Sequence, residues 1–316
     1  MLVYCTRIAS RDSTRQVFSM QALRTPDDRF SDLPGYSFIP NYVEDLPGYE
    51  GLRVHYLDEG PPDADVVWLC LHGEPTWSYL YRKMLPVFVA AGDRVIAPDL
   101  LGFGRSDKPI DESVYTFGFH RTMLLELIDR LNLSGLRLVC QDWGGLLGLT
   151  LPMARPDSFA GLLAMNTAFN SGDLPLGEGF ERWREYANSQ HDLDIAKLLK
   201  RSTPILSDDE AQAYAAPFPD ASYKACVRQF PKLVADNPDA DGAALSREAR
   251  EWFGSQWKGK SLLAVGMQDP VLGAPAMKHL KRLIRNAPDL MEVADAGHFT
   301  QEWGVPIAET AVAMLR

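Results

Sequence analysis

The 316-residue sequence predicts an α/β fold: a mostly parallel sheet flanked by helices, with an inserted helical cap. Three observations carry that expectation. Short apolar runs alternate with stretches of helical periodicity along most of the chain. One run, Leu136 to Cys140, passes through Gln141-Asp142-Trp143 straight into Gly144-Gly145. From about Phe169 to Gly242 strand signals vanish while helical patterns persist.

In chain order, residues 1–19 carry three arginines and no apolar stretch of signal-peptide length, so a secretory signal is not expected. A disordered extension ahead of Met20 is expected instead, with a transit peptide as a weaker reading. Arg24 to Tyr49 is rich in Pro, Gly, Asp and aromatics, the composition of an irregular segment wrapped over a core. Strands are expected at Leu52–Asp58, Val66–Leu71, Arg94–Ala97, Leu136–Cys140, Leu162–Met165, Ser261–Val265 and Leu290–Val293. Helices are expected at Tyr79–Ala91, Phe117–Leu131, Gly144–Arg155, Ala274–Ile284 and Pro306–Leu315. Within the insertion, Phe180–Asn188, Asp192–Lys200 and Ala211–Ala216 read as helices, the last behind the capping-box spacing Ser207-Asp208-Asp209-Glu210. The domains expected are a core over 20–168 and 243–316 and a cap over 169–242. The cap would cover the carboxyl edge of the sheet, where such sheets bind ligands.

The apolar fraction of 46% and charged fraction of 23% suit one large core. A formal net charge of −10 speaks against a nucleic-acid partner. No apolar run of 18 residues spans a bilayer, and no metal-ligand spacing such as H-E-x-x-H occurs. Cys5, Cys70, Cys140 and Cys226 are widely spaced, which suggests free thiols in a reducing cytoplasm. A cofactor-free monomer acting on a small molecule is expected.

Small-x-nucleophile-x-Gly is the strand-to-helix elbow of the α/β hydrolases, and here Asp142 occupies the nucleophile position. Asp269 and His298 follow in the order nucleophile, acid, base, each in a loop directly after an expected strand. An aspartate with a pKa near ~3.9 is ionised at neutral pH and needs no base to attack carbon. Water must then open the resulting ester. His298 would take the water proton, held in the right tautomer by Asp269, with backbone N–H groups of Glu74 and Trp143 receiving the oxyanion. Asp295 is a rival to Asp269, although its short loop favours a turn role. His55, His120, His191 and His279 read as ordinary surface histidines, and His72 as a support for the Gly73–Pro75 turn.

From about Leu23 to the C-terminus the chain resembles the haloalkane dehalogenases. The matching blocks are His72-Gly73-Glu74-Pro75-Thr76-Trp77, Gly102-Phe103-Gly104-Arg105-Ser106-Asp107-Lys108-Pro109, Gln141-Asp142-Trp143-Gly144 and Asp295-Ala296-Gly297-His298-Phe299. The resemblance implies Asp142 as nucleophile, Asp269 as triad acid, His298 as base, and Glu74 and Trp143 as oxyanion-hole donors. It also implies two indole N–H donors for the halide, Trp143 and a cap tryptophan, a position that Trp183 fits. In another branch an asparagine stands at the position of Glu74 and supplies the second donor. An ionised Glu74 only accepts, and Asn166 cannot replace the triad acid, so both positions point to the branch with a cap tryptophan, similar to 1,2-dichloroethane-type dehalogenases. Leu146, Phe180, Phe230, Pro231 and Val234 match its pocket-lining positions, with Leu146 where several members carry phenylalanine. The expected reaction turns small haloalkanes into a primary alcohol and halide.

The same fold admits an epoxide hydrolase, which needs acids such as a pair of Tyr186, Tyr214 and Tyr223, or a non-catalytic receptor. A fluoroacetate-type enzyme would place arginine where Trp143 stands.

Overall fold

The computed structural model describes residues 2–7 and 18–316, with side chains from residue 20 onward. Strands in chain order are β1 (Leu2–Arg7), β2 (Phe18–Leu23), β3 (Asn41–Val43), β4 (Val54–Glu59), β5 (Val67–Leu71), β6 (Arg94–Pro98), β7 (Lys108–Pro109), β8 (Leu136–Gln141), β9 (Phe159–Met165), β10 (Lys260–Gly266) and β11 (Met291–Val293). The α-helices are α1 (Leu85–Ala90), α2 (Phe117–Arg130), α3 (Trp143–Gly148), α4 (Leu151–Ala154), α5 (Glu178–Ser189), α6 (Ile195–Ser202), α7 (Asp208–Ala215), α8 (Ala225–Leu233), α9 (Ala243–Ser255), α10 (Ala274–Leu283) and α11 (Gly304–Leu315).

The main sheet runs β11-β10-β9-β8-β5-β6-β4-β3. The strands from β11 to β6 pair in parallel, while β4 joins β6 antiparallel and β3 joins β4 antiparallel. Its centre is dry: every residue of β5 is buried, which is why Val67-Trp68-Leu69-Cys70-Leu71 shows no polar alternation. Helices α10 and α11 pack on β10, and α3 packs on β5 and β8. Cys70, Cys140 and Cys226 are buried free thiols.

The expected strands all form, with ends shifted by a few residues. Several helices differ for visible reasons. The run Gly144–Arg155 splits into α3 and α4 because Pro152, in the first turn of α4, has no N–H to continue the ladder. Tyr79–Ala91 becomes a 3-10 turn, Ser78–Tyr81, followed by α1 with Pro86 in its first turn. Helices α8 and α9 are additions; α8 carries Pro231 inside it, and α9 starts after Gly242 at φ 80°.

The amino terminus differs from an unstructured extension. β1 pairs antiparallel with β2, and β2 pairs with β7 through Ala22 and Leu23. Leu2-Val3-Tyr4-Cys5-Thr6 is a segment of strong β propensity, which suits strand pairing. The rest of that expected extension, residues 1 and 8–17, lies outside the described residues.

Between β9 and α9 the described residues hold only helices and turns. Helix α7 is capped as its spacing predicts: Glu210 N–H donates to Ser207 Oγ at 3.1 Å, and Ser207 N–H to Glu210 Oε2 at 2.8 Å. Arg82 ties this segment to the core, bonding Glu302 at 2.6 and 2.9 Å and the α7 residue Glu210 at 2.7 Å.

Candidate active site

Asp142 lies between β8 and α3 at φ 49° and ψ −128°, a backbone region costly for a residue with a Cβ. Tight surroundings hold it there. A Cβ on Gly144 would come within 2.0 Å of the Leu71 carbonyl oxygen, so only glycine lets α3 start this close to β5. The Asp142 N–H donates to Asn166 O at 3.1 Å, and Thr167 Oγ1 donates to Asp142 O at 2.9 Å. Although Asp142 occupies the N-cap position of α3, its side chain makes no capping bond.

The carboxyl group turns elsewhere. Oδ2 accepts the Glu74 N–H at 2.8 Å, and the Trp143 N–H also bonds the carboxylate. Burial raises the Asp142 pKa, against the opposing pull of His298 and these two N–H groups. Oδ1 lies 3.7 Å from His298 Nε2, beyond hydrogen-bond length.

His298 Nδ1 lies 2.8 Å from Asp269 Oδ2. Burial alone would lower the imidazole pKa, but Asp269 and then Asp142 lift it to about 9. Burial likewise favours a protonated Asp269, yet His298, Asn166 and the Val271 N–H outweigh it and hold the carboxyl below its usual range. Asp295 is exposed and stands outside this chain of contacts.

Three supports were not anticipated. Asn166 Nδ2 donates to Asp269 Oδ2 at 2.7 Å, while its Oδ1 accepts from Gly266 N–H at 2.8 Å and Thr300 Oγ1 at 2.7 Å. Gln141 Nε2 donates to His298 O at 3.1 Å, which orients the amide, and lies 3.0 Å from His298 Nε2. When the ring is neutral, that contact favours the tautomer with its proton on Nδ1, the one a general base needs. Only the position of Asn166 beyond a strand hinted at such a role; nothing in sequence links Thr300 or Gln141 to the ring.

A cavity of 580 Å³ opens above these groups, lined by Glu74, Asp142, Trp143, Phe180, Trp183, Pro231, Asp269 and His298 among others. A second lobe of 330 Å³ shares Asp142, Phe180 and Val271 with it and is walled by Leu146, Phe169, Leu176, Val234 and Leu280. Trp183 is half-buried on α5, its ring 6.1 Å from that of Tyr186.

Some expectations need correction. Phe230 is fully buried and lines neither lobe; its ring packs 4.4 Å from Trp143, because the neighbouring Pro231 takes the cavity-facing side of α8. Burial and the Asp142 charge push the Glu74 carboxyl well above the usual carboxylate range. A neutral acid donates as well as accepts, so charge no longer excludes that side chain as a donor. His55 and His120 are buried, not superficial; His55 Nδ1 lies 2.7 Å from Asp99. Of the three tyrosines an epoxide hydrolase needs to draw on, only Tyr186 reaches the cavity. Tyr214 is buried and donates to Glu302.

Among the described residues no cluster of three His, Cys, Asp or Glu is arranged to hold a metal, and no helix is long and apolar enough to cross a membrane.

A sequence profile of the alpha/beta hydrolase fold matches residues 67–305. The chain is 46% identical to a haloalkane dehalogenase of Psychrobacter cryohalolentis over 289 residues, covering 90% of this chain and 94% of that one. It is 40% identical to a haloalkane dehalogenase of Mycobacterium marinum, over 93% and 99% of the two chains. Among solved structures it superposes on the tetrameric haloalkane dehalogenase DpaA of Paraglaciecola agarilytica with a TM-score of 0.91 and 50% identity, covering 92% of this chain and 98% of that one.

Proposed function

The chain belongs to the haloalkane dehalogenases of the α/β-hydrolase fold, enzymes that hydrolyse carbon–halide bonds, and we propose that it does so on small haloalkanes through an ester on Asp142. The observation that carries this reading is the division of labour between the two carboxyl oxygens. Oδ2 is held by the Glu74 N–H at 2.8 Å, while Oδ1 lies 3.7 Å from His298 Nε2.

In the first step Oδ1 attacks the carbon bearing the halogen. The C–O bond forms as the C–X pair leaves on the halide, which the indole N–H groups of Trp143 and Trp183 receive. An indole donates without bringing a competing charge. Oδ2 is now the ester carbonyl oxygen. Water adds to the Asp142 carbonyl carbon, its proton passes to His298 Nε2, and the charge on Oδ2 falls to the Glu74 and Trp143 N–H groups. Collapse returns the carboxylate and expels the alkoxide, which takes the proton from His298.

Electrostatics orders the two steps. With both carboxylates charged, the His298 pKa is about 9, so the ring is mostly protonated at neutral pH. Alkylation removes the negative charge of Asp142, one of the causes that raise it. The base is thereby released for the step that needs it.

Halide is expected in stoichiometric step with alcohol when 1-bromobutane or 1,2-dibromoethane is supplied, read by ion chromatography. Turnover of epoxides with no halide from any haloalkane would reject the reading. The monomer expected from sequence gives way to a tetramer, on the precedent of the 50% identical relative described as tetrameric. Light scattering that returned the mass of one chain would reverse that choice. A cytoplasmic location is consistent with three buried free thiols, and cell fractionation tests it.

A further inference from the structure

The rim of the larger cavity carries positive charge that the chemistry above leaves unused. Arg182 on α5 and Arg201 in the last turn of α6 both line it, beside Tyr186 and Ser202. The acids on its wall, Glu74, Asp142 and Asp269, all come from the core; burial and the Asp142 charge push the Glu74 carboxyl up, and Asp269 is paired with His298. The charged side chains that the cap contributes to this cavity are thus both cations, in a chain whose formal net charge is −10.

Local helix chemistry accounts for only part of this. Arg182 pairs with Glu178 one turn earlier at 2.6 Å, but their side chains are 74% and 84% exposed, so solvent screens that pair heavily. Arg201 has no carboxylate within 4.0 Å among the described residues. Arg201 is exposed, and its guanidinium lies 5.2 Å from the centre of the half-open Tyr186 ring, a contact that leaves its N–H donors free. A guanidinium with no carboxylate partner and with its N–H donors free, lining a cavity, can receive a small anion.

We propose that Arg201, seconded by Arg182, forms an outer anion subsite at the cavity mouth, taking the halide as it leaves or the anionic end of a substrate as it arrives. The halide alternative rests on the reaction proposed above. A halide formed against two indoles must cross to the surface of an acidic protein, and a cation at the rim lowers that barrier. The same field draws anions inward and raises their association rate at low salt.

The test is stopped-flow quenching of tryptophan fluorescence by bromide, which needs no turnover. Arg201→Gln is expected to lower the bromide on-rate about three-fold at ~0.01 M ionic strength, where the Debye length is ~30 Å. The difference should vanish in ~1 M sodium acetate, where it is ~3 Å. Arg201→Lys should keep most of the rate, and Glu178→Gln, which frees Arg182, should raise it. The substrate arm compares kcat/KM for 6-bromohexanoate and 6-bromohexanol. A loss confined to the carboxylate in Arg201→Gln assigns the subsite to substrate, and a loss confined to bromide entry assigns it to product. Wild-type values in both arms, in a variant with an unchanged Tm, overturn the proposal, as does a wild-type on-rate indifferent to salt. Absence of halide release by the wild type would sink the reaction assignment instead, and leaves the bromide on-rate as the judge of the rim.

Discussion

Asp142 and Trp183 face the same cavity from opposite kinds of structure. Asp142 sits at φ 49° on a turn pinned by hydrogen bonds to its own N–H and C=O and by a glycine that approaches the neighbouring strand closely. Trp183 rides on α5, where only Ala187 is fully buried and the ion pairs Arg182–Glu178 and Arg184–Asp236 lie in solvent or at its edge. The elbow holds a strained backbone because everything around it agrees. The cap helix is held by a thin contact layer and has latitude to change. In the proposed mechanism, bond-making belongs to the rigid side, and selection of substrate and handling of halide to the adaptable one.

That division makes graded predictions. On the rigid side the largest effect is expected from His298→Gln, which removes the base but leaves the nucleophile. It should release one equivalent of halide and then stall, with hydrolysis down by at least ~10²–10⁴-fold. Mass spectrometry should find the alkyl group on Asp142; steady turnover in this variant would break the assignment of His298.

Next is Asn166→Ala, which deletes the 2.7 Å bond to Asp269. Without it the Asp269 pKa rises and the triad loosens, so a fall of about ten-fold in kcat is expected, in line with a hydrogen bond to a charged group. Ester hydrolysis needs neutral His298, so its rate in the wild type should rise with pH to a plateau. The midpoint should lie below the value of about 9 in the free enzyme, since the ester carries no Asp142 charge. A midpoint for hydrolysis at or above that of the free enzyme would contradict the coupling.

Smaller effects belong to the cap side. Trp183→Phe keeps the ring bulk and loses one N–H donor, so bromide should bind about five-fold more weakly, the equivalent of ~1 kcal/mol. Trp252→Phe is the control, since that ring packs on Phe253 and Trp257 away from the cavity. Equal effects would remove Trp183 from the halide site. The mildest is Leu146→Phe, which fills part of the second lobe. It should shift preference a few-fold toward shorter bromoalkanes across a chain-length series, and an unchanged profile would show that the lobe takes no substrate.

The same contrast explains what the sequence discloses. Asp142, His298 and Asp269 are legible because an elbow needs glycines at fixed spacing and a triad needs strand-end loops in a fixed order. The buried β5 strand is legible as an unbroken apolar run, and β8 as one interrupted by Arg137. Asn166, Gln141 and Thr300 are not, because their partners lie far along the chain and any polar residue at a strand end looks alike. Phe230 and Pro231 are adjacent in sequence and face opposite ways, a distinction set by the rotation of α8 against Trp143. The ionisation of Glu74 follows from burial beside Asp142, which sequence does not contain. The monomer expectation had no physical signal behind it, since subunit contacts leave no local pattern.

The central claim is that the oxygen of the product alcohol comes from Asp142 and that water renews the carboxylate. A single turnover in H2(18)O, with excess enzyme over 1-bromobutane, decides it. Butanol from that turnover should carry the unlabelled oxygen, and the peptide containing Asp142 should gain one labelled oxygen by mass spectrometry. Labelled butanol with an unlabelled peptide would mean that water attacks carbon directly.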